Sequence, residues 1–406
     1  MAEIQATNEL KNILYDYFQS FFPKDKEAPK VAWCTSVGPS EILIAMGYSV
    51  YYPENHGALL GATRKANDYI PLANTIGYSP DYCSYLSSDI GAHIKGETPL
   101  SKVYNIPHPP KPDLLVYSTN QCHEVQDWFS YYAKEFNVPC FGIHPPWKVN
   151  EISDAQLSYV ESQFRELISN IEKLHNKKMD WDLLEETVSN SSQASSLWGE
   201  FLAKAKTTPS PITFFDGCIQ MAPAVVLRGS TTAIDYYKTL NSEIDEMIVK
   251  NSAAPKREEI RLYWDGMPIW GKLRFFSELL EKNQASAVAS TYCNSWVFDL
   301  DAKDPLRSMA DAYTKIFINR ADDNKEKTLK RLSKEYQIDG HIFHDAKTCP
   351  YNSNNHFGLP KRLNSDNKHP YLLVDGDLND LRCFSEEQTI TSFESFIEQL
   401  KENKER

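Results

Sequence analysis

The chain has 406 residues and a formal net charge of −12, from 43 basic and 55 acidic side chains. This acidic balance argues against nucleic acid as the main partner, and the length favours two or three domains. No run of 18 or more apolar residues occurs, so we expect no membrane span. The first residues lack the basic and then apolar pattern of a signal peptide, which favours the cytoplasm.

Helical and strand patterns alternate in the first part of the chain. Apolar side chains at helical spacing predict an opening helix over residues 4–22. Such strands and helices in alternation indicate a mostly parallel sheet. Strands are predicted at 30–37, 49–54, 111–119 and 137–143, and helices at 39–47 and 121–136.

The middle of the chain is predominantly helical. A long helix is predicted over 153–175 with Ser153 as its N-cap, and helical patterns continue to about 205. A Pro-containing break at 207–215 precedes another helical stretch that ends near 250. The segment 251–259 has the composition of an exposed linker.

The alternation of strands and helices then returns. Strands are predicted at 260–266, 285–291, 340–346 and 371–377, and a closing amphipathic helix at 391–406. The expected architecture is therefore two α/β lobes joined by a helical middle segment. The predicted divisions are an N-terminal helical segment at 1–30, lobe I at 31–150, a connecting region at 151–254 and lobe II at 255–406.

The chain contains eight cysteines: Cys34, Cys83, Cys122, Cys140, Cys218, Cys293, Cys349 and Cys383. No CxxC pair occurs, which excludes zinc knuckles and thioredoxin-type motifs, and a reducing cytoplasm disfavours disulfides. For most of these thiols, burial as small apolar groups is the simpler interpretation.

Three of the cysteines stand out by their position. Cys122 and Cys349 each follow a short apolar strand and precede a predicted helix, and Cys83 lies in the comparable stretch GYSPDYCSY. In α/β proteins, ligands collect at the carboxyl ends of parallel strands. Three thiolates that converge there can hold three irons of a [4Fe–4S] cluster and leave the fourth iron open.

Polar groups lie at the ends of the first two predicted strands. Ser36 ends the stretch WCTS beside Cys34, where hydroxyls and helix amides suit a thioester carbonyl or serve as a helix cap. Glu54 and His56 lie in YYPENHG, where they are candidates for acid–base chemistry or members of a hydrogen-bonded turn.

Two later stretches have both a functional and a structural interpretation. Lys347 is near Cys349, where it can lower a thiol pKa or remain a solvated loop residue. Tyr292 and Trp296 can line a pocket for an apolar group or belong to a buried aromatic cluster. The chain has neither GxGxxG nor GxxxxGK[ST], so any ATP dependence has to come from a partner.

At these residues the sequence resembles the large subunits of the 2-hydroxyacyl-CoA dehydratase and class I (ATP-dependent) benzoyl-CoA reductase family. The matching motifs run in family order from about residue 31 to 400. They are WCTS, YPENHGA, GYSPDYCSY with SDIG, TNQC, WDGMPIWGKLR, KTC and VDGDLNDLRCFSEEQ.

The resemblance implies a fold, a cofactor and a set of site residues. The fold is α/β, with two flavodoxin-like lobes that have parallel sheets. By motif, the cysteines that hold one [4Fe–4S] cluster are Cys83, Cys122 and Cys349. Ser36 and Glu54 match positions beside the cluster and the thioester carbonyl. We assign Ser36 to the carbonyl, and Glu54 and His56 to proton delivery.

The resemblance also implies partners. These are a paralogous large subunit, ATP-hydrolysing iron–sulfur activator subunits, reduced ferredoxin as electron donor, and an acyl-CoA substrate. In the reductases an aromatic acyl-CoA is reduced to a cyclic dienoyl-CoA. In the dehydratases a ketyl radical expels a hydroxyl group, and the electron is recycled.

Local stretches favour a benzoyl-CoA reductase over a dehydratase. The dehydratases carry CNNIC and RSCK around the second and third cysteines, where this chain has TNQC and KTC. Two alternatives stay open at this point. One is a homodimeric double-cubane protein that would recruit Cys34 and Cys140 as further ligands, and the other is a subunit that only relays electrons to a substrate-binding partner.

Overall fold

The computed structural model describes residues 4–25, 27–250, 258–353 and 358–405. Within these ranges, eight strands form two parallel sheets of four strands each. The strands are β1 Val31–Cys34, β2 Ser49–Tyr51, β3 Leu114–Ser118, β4 Cys140–Ile143, β5 Ile260–Asp265, β6 Ala285–Ser290, β7 Gly340–Ala346 and β8 Tyr371–Gly376.

Helices occupy most of the remaining described chain. Those before the second sheet are α1 Ala6–Gln19, α2 Ser40–Ala45, α3 Pro53–Ala62, α4 Ala66–Thr75, α5 Ser84–Lys95, α6 Leu100–Val103, α7 Glu124–Phe136, α8 Asp154–His175, α9 Trp181–Ala203, α10 Phe214–Gln220, α11 Ala222–Val226 and α12 Thr231–Val249. Those that follow are α13 Leu273–Lys282, α14 Thr291–Asn294, α15 Pro305–Thr314, α16 Asp322–Glu335, α17 Pro350–Ser353, α18 Leu359–Leu363 and α19 Glu386–Glu405.

The two sheets have the same strand order. In lobe I it is β2-β1-β3-β4, and in lobe II it is β6-β5-β7-β8. In each lobe the first strand thus pairs with the second and the third, which is the flavodoxin-like arrangement. All pairings are parallel, so the carboxyl ends of the strands in a sheet share one edge. The expected fold class is confirmed.

Both faces of the first sheet are buried. Ala32 and Cys34 of β1 belong to a large core that also includes residues of the middle helices and of lobe II. Val31 and Trp33 point to the opposite face and a second core, which includes residues of α5 and α7. This alternation explains why β1 reads as a continuous apolar run, as expected of a parallel strand covered on both sides.

The middle helices begin where the local sequence predicts. The Ser153 side chain accepts a hydrogen bond from the backbone N–H of Gln156, whose side chain in turn accepts from the Ser153 N–H. This reciprocal capping box starts α8 as predicted. The predicted break at 207–215 ends earlier, because Thr213 and Asp216 form a second capping box that starts α10 at Phe214.

Close helix contact explains the glycine of the SDIG motif. A Cβ atom added to Gly91 of α5 would collide with the backbone carbonyl oxygen of Tyr69 in α4. A larger residue at Gly91 would therefore force α4 and α5 apart. In the chain α4 follows α3, and α5 follows Cys83, so the packing of α4 against α5 helps to place both segments.

Some predictions from the sequence fall outside what the structure describes or tests. Most of the predicted linker 251–259 lies outside the described residues, as does one of the predicted lobe boundaries, residue 254. The boundaries of the divisions stay a prediction. No helix in the described ranges is long and apolar enough to cross a membrane.

Candidate active site

A cavity of about 320 Å³ lies where the two lobes meet the middle helices. Lobe I contributes Ser36, Glu54, Cys83 and Cys122 to its lining. Lobe II contributes Cys349. The fold thus brings five of the six site residues predicted from the sequence to one cavity.

Each of the three cysteines lies beside the start of a helix. Cys83 is the N-cap of α5, Cys122 lies in the loop between β3 and α7, and Cys349 directly precedes α17. The side-chain amide of Asn352 donates to the Cys349 Sγ at 3.9 Å. Backbone and side-chain N–H groups at these positions suit sulfur atoms that carry negative charge.

The three thiols interact with one another electrostatically. Burial raises the pKa of Cys83, and the neighbouring Cys349 raises it further. Burial likewise raises the pKa of Cys122, with further increases from Glu124, Cys83 and Cys349. Burial raises the pKa of Cys349 to about 12. The thiols are therefore protonated unless a cationic centre lies between them, since metal binding deprotonates a coordinating thiol.

This donor set fits a cluster with three thiolate ligands. In the part of the chain that the structure describes, no three His, Cys, Asp or Glu side chains form a group that can hold a single metal ion. A [4Fe–4S] cluster does not need three side chains around a single ion, because each thiolate binds a different iron. Three sulfurs on separate loops around one cavity meet that requirement.

Ser36 and Glu54 form one hydrogen-bonded unit in the cavity wall. The backbone N–H of Ser36 donates to Glu54 Oε2 at 2.5 Å, and the Gln121 side chain donates to Glu54 Oε1. Burial raises the pKa of Glu54, although the hydrogen bonds from Ser36 and Gln121 oppose this shift. Among the described residues, the buried Ser36 hydroxyl has no hydrogen bond of standard geometry. The unit thus offers a hydroxyl and a carboxylic acid to a ligand.

His56 lies apart from the cavity. Its Nδ1 contacts Asp89 Oδ1 at 2.5 Å, and its Nε2 contacts Thr98 Oγ1 at 2.8 Å. Asp89 also accepts hydrogen bonds from the Trp128 Nε1 and the Tyr132 hydroxyl. Both ring nitrogens of His56 are thus engaged, and neither is open for direct proton transfer to a ligand. We expected His56 to lie beside Glu54 in the site, but only Glu54 lines the cavity. The role of His56 in proton delivery stays a prediction.

Helical geometry separates His56 from Glu54. The stretch PENHG is not a turn, because it forms the first part of α3, which starts at Pro53. Residues two apart in a helix point roughly 200° apart around the axis. With Glu54 directed to the cavity, His56 has to face the protein interior.

The loop that carries Ser36 is held by an arginine that sequence reasoning missed. Arg228, which is buried, donates to the backbone carbonyls of Ser36 and of Gly38 and to the Tyr313 hydroxyl. The Tyr313 hydroxyl in turn donates to the buried Glu41 carboxylate at 2.6 Å. The sequence carries one signal for this role, because Arg228 directly follows the apolar run AVVL. An arginine in such a place is expected to be buried, and a buried cation needs several hydrogen-bond acceptors.

Aromatic side chains form much of the remaining cavity wall. Tyr85 and Trp270 line it and are joined by a hydrogen bond from the indole N–H to the phenol oxygen. Tyr292 and Trp296 also line it. For these last two residues, the structure favours the pocket interpretation over a purely buried cluster. The wall suits a ligand with an apolar or aromatic end.

The other cysteines and Lys347 have less direct relations to the cavity. Cys34 and Cys293 are buried, as expected. Cys218 is buried too, but it also lines the cavity, which the sequence did not indicate. Cys140 is half-buried in β4. Lys347 is 60% exposed and 3.9 Å from Asp81, so the interpretation as a solvated loop residue fits it better.

A family model identifies the chain. The model for the 2-hydroxyglutaryl-CoA dehydratase D-component matches residues 35–400. The chain belongs to this family. The resemblance inferred from the motifs is thereby confirmed, and the matched range includes Ser36, Glu54 and all three cysteines that line the cavity.

Individual members of this dehydratase D-component family include both dehydratases and a reductase. The chain is 30% identical to lactoyl-CoA dehydratase subunit alpha of Anaerotignum propionicum, over 96% of each chain. It is 27% identical to the (R)-2-hydroxyisocaproyl-CoA dehydratase alpha subunit of Clostridioides difficile, over 98% of this chain and 97% of the relative. It is 28% identical to a subunit of the benzoyl-CoA reductase of Thauera aromatica, over 89% of this chain and 86% of the relative. These identities do not establish that the chain is closer to the reductase.

The buried acid in the cavity predicts a dependence of stability on pH. A carboxyl group with a raised folded-state pKa stabilises the fold below its unfolded pKa, and this contribution is lost as pH rises through the folded pKa. Burial raises the pKa of Glu54, so Glu54→Gln is expected to gain stability relative to wild type as pH rises from about 4.5 towards 8. Thermal unfolding of wild type and Glu54→Gln across this pH range measures the difference in stability. A difference in stability that is the same at every pH would contradict the expectation.

Proposed function

We propose that the chain is the iron–sulfur, acyl-CoA-binding subunit of a reductive enzyme complex of this family. The observation that supports it is the arrangement of one cavity, which is lined by three cysteines from two lobes together with Ser36 and Glu54. The cysteines are the donor set for a cluster, and the Ser36–Glu54 unit is the polar group that a thioester requires.

Cys83, Cys122 and Cys349 would hold a [4Fe–4S] cluster with an open or non-protein fourth ligand. Bound there, the cluster would supply a low-potential electron at the substrate thioester. The three cysteines are half-buried around the cavity, and a site that limits the access of water limits the side reactions of a strongly reducing centre.

Ser36 and Glu54 have distinct proposed roles. The Ser36 hydroxyl, which lies beside Glu54 in the cavity lining, donates a hydrogen bond to the thioester carbonyl, where negative charge builds up during reduction. Glu54 delivers a proton, a role that its raised pKa favours, since burial shifts it towards the protonated form. We propose that His56, through Asp89, holds α3 in position, so any part that it has in proton delivery runs through other groups.

The first candidate reaction is the reduction of an aromatic acyl-CoA, such as benzoyl-CoA, to a cyclic dienoyl-CoA. It is supported by the local stretches around Cys122 and Cys349 and by the aromatic wall, in which Tyr292 and Trp296 can contact a ring face. This reaction takes up a pair of electrons and a pair of protons in each turnover.

The second candidate is the dehydration of a 2-hydroxyacyl-CoA. It is supported by the 30% identity to a dehydratase alpha subunit over 96% of each chain. This reaction releases water and consumes no electrons overall. The same hydroxyl and acid serve it, since the thioester carbonyl gains charge and the leaving hydroxyl needs a proton.

The proposal includes partners. The relatives are components of larger enzymes by their names, and we propose that this chain pairs with a paralogous large subunit. In the cytoplasm, ATP-hydrolysing iron–sulfur activator subunits would deliver electrons from reduced ferredoxin. We place ATP hydrolysis on a separate activator, in keeping with the lack of a Walker-type motif in this sequence.

Turnover by the assembled complex tests the proposal. The chain, its paralogous subunit and the activator would be purified without oxygen, supplied with ATP and reductant, and given benzoyl-CoA or a 2-hydroxyacyl-CoA. A dienoyl-CoA product supports ring reduction, and an enoyl-CoA product supports dehydration. About eight irons per chain would indicate a double-cubane protein instead of a three-thiolate cluster.

Binding of the CoA ester to the isolated chain tests the alternative in which this subunit only relays electrons to a substrate-binding partner. The wild-type chain is expected to bind the CoA ester that the complex turns over, because Ser36 and Glu54 lie on this polypeptide. Equilibrium titration of the chain with the CoA ester measures this binding. If the ester binds only to the paralogous subunit, this chain relays electrons and the proposed roles of Ser36 and Glu54 fail.

A further inference from the structure

The motif VDGDLND, which spans the end of β8 and the loop after it, places a carboxylate next to the third cysteine. Asp377 is fully buried, and its Oδ2 accepts hydrogen bonds from the backbone N–H of Thr348 at 2.8 Å and from the Thr348 hydroxyl at 2.6 Å. Its Oδ1 accepts from the backbone N–H groups of Asn379 at 3.1 Å and Asp380 at 3.0 Å. Four donors therefore fix the carboxylate, which in turn fixes the residue that directly precedes Cys349.

Thr348 extends this contact to the other lobe. Its hydroxyl oxygen accepts a hydrogen bond from the backbone N–H of Ser84 at 3.0 Å, and Ser84 directly follows Cys83. Since the hydroxyl hydrogen points to Asp377, the oxygen lone pairs are free to face Ser84. A continuous chain of hydrogen bonds thus runs from Ser84 through Thr348 to Asp377.

Asn379 of the same motif reinforces the junction. Its side-chain amide donates to the backbone carbonyl of Gly57 in α3 at 2.7 Å and to the Ser88 hydroxyl in α5 at 3.0 Å. A Cβ atom added to Gly61 of α3 would collide with the Asn379 side chain. The loop after β8 is therefore fitted against the helices that carry Glu54 and begin at Cys83.

We propose that Asp377 and Thr348 are positioning residues that set the separation of Cys83 and Cys349 for the cluster. We call the set Ser84, Thr348 and Asp377 the interlobe clamp. The inference rests on the proposed function, since it assumes a cluster on these cysteines. It goes further by assigning a task to Asp377 and Thr348, two residues that are not part of the cavity lining.

The physical reason is that the ligands come from different lobes. Cys83 belongs to lobe I and Cys349 to lobe II, so small movements of the lobes change the distance between their sulfurs. The clamp ties the residue after one cysteine to the residue before the other. Partners that orient metal ligands in this way typically contribute 10- to 100-fold to metal affinity or activity.

Iron release from the anaerobically reconstituted chain tests the clamp. Thr348→Val keeps the side-chain shape but removes the hydroxyl, and release to an iron chelator is expected to be about 10-fold faster or more. The EPR signal of the reduced cluster is expected to broaden or shift in the same variant. Thr348→Ser restores the hydroxyl and is expected to hold iron as wild type does. Asp377→Asn, a second variant, is expected to release iron faster as well.

Thr389→Val is the matched control. The Thr389 hydroxyl donates to the Ser385 carbonyl at the start of α19, away from the cavity lining, so this variant is expected to hold iron as wild type does. If the wild-type chain takes up no iron, the proposed function fails and the clamp with it. If wild type holds about four irons and a folded Thr348→Val or Asp377→Asn releases them at the wild-type rate with an unchanged EPR signal, the clamp alone is overturned.

Discussion

Replacing Cys83, Cys122 or Cys349 by serine, one at a time, is expected to remove the iron from the purified chain and abolish turnover. The three sulfurs line one cavity, and the pKa of Cys122 is raised by both Cys83 and Cys349, so the three thiols are neighbours around one site. With only three protein ligands, the loss of one leaves two thiolates, and hydroxyl groups are poor replacements for them.

Iron and acid-labile sulfide per polypeptide, determined without oxygen, measure this effect. Wild type is expected to hold about four irons, and each of the three variants close to none. Cys140→Ser is the matched control, since this half-buried thiol in β4 is not part of the cavity lining. If one of the three variants kept its full iron content, the cysteine replaced in it would not be a cluster ligand. A folded wild-type chain without iron would refute the cluster.

Glu54→Gln is expected to lower kcat of the assembled complex by about 10²- to 10⁴-fold, the usual contribution of a positioned acid. Burial raises the pKa of Glu54, which favours the protonated form of this carboxyl group. Glutamine preserves the shape of the side chain, and the Gln121 amide can turn to keep a hydrogen bond to the new amide group. Glutamine, however, is not an acid and cannot deliver the proton. Ser36→Ala is expected to cost about 10²-fold, as for the loss of one oxyanion donor.

The dependence of kcat on pH distinguishes acid catalysis from a purely structural effect. Because the protonated form is the active one, the wild-type kcat is expected to fall as pH rises through the raised pKa of Glu54. This limb is expected to vanish in Glu54→Gln. Glu97→Gln, an exposed carboxylate paired with Lys95, is the control that should retain both the rate and the profile. Full turnover by Glu54→Gln, or an unchanged pH limb, would contradict the assigned role.

Local signals were enough for all eight strands, for several of the helices and for most of the candidate site. The capping box at Ser153 and the apolar run of β1 depend on neighbours in the chain, so α8 and β1 could be predicted from short stretches. Cys122 and Cys349 follow parallel strands, and in this fold class that position places each of them at the carboxyl edge of its own sheet. Their meeting with Cys83 followed from motifs, and the structure brings all three to one cavity.

Contacts between distant segments were beyond the reach of such reasoning. Arg228 contacts the Ser36 carbonyl across 192 positions, and Thr348 contacts Ser84 across 264. His56 was grouped with Glu54 by proximity in the chain, yet α3 directs the two side chains to opposite sides. The sequence by itself thus determined the family, the two parallel lobes and the residue types of the site. Only the tertiary structure decided which side chains face the cavity, because burial and hydrogen bonding between lobes depend on how the helices and loops pack.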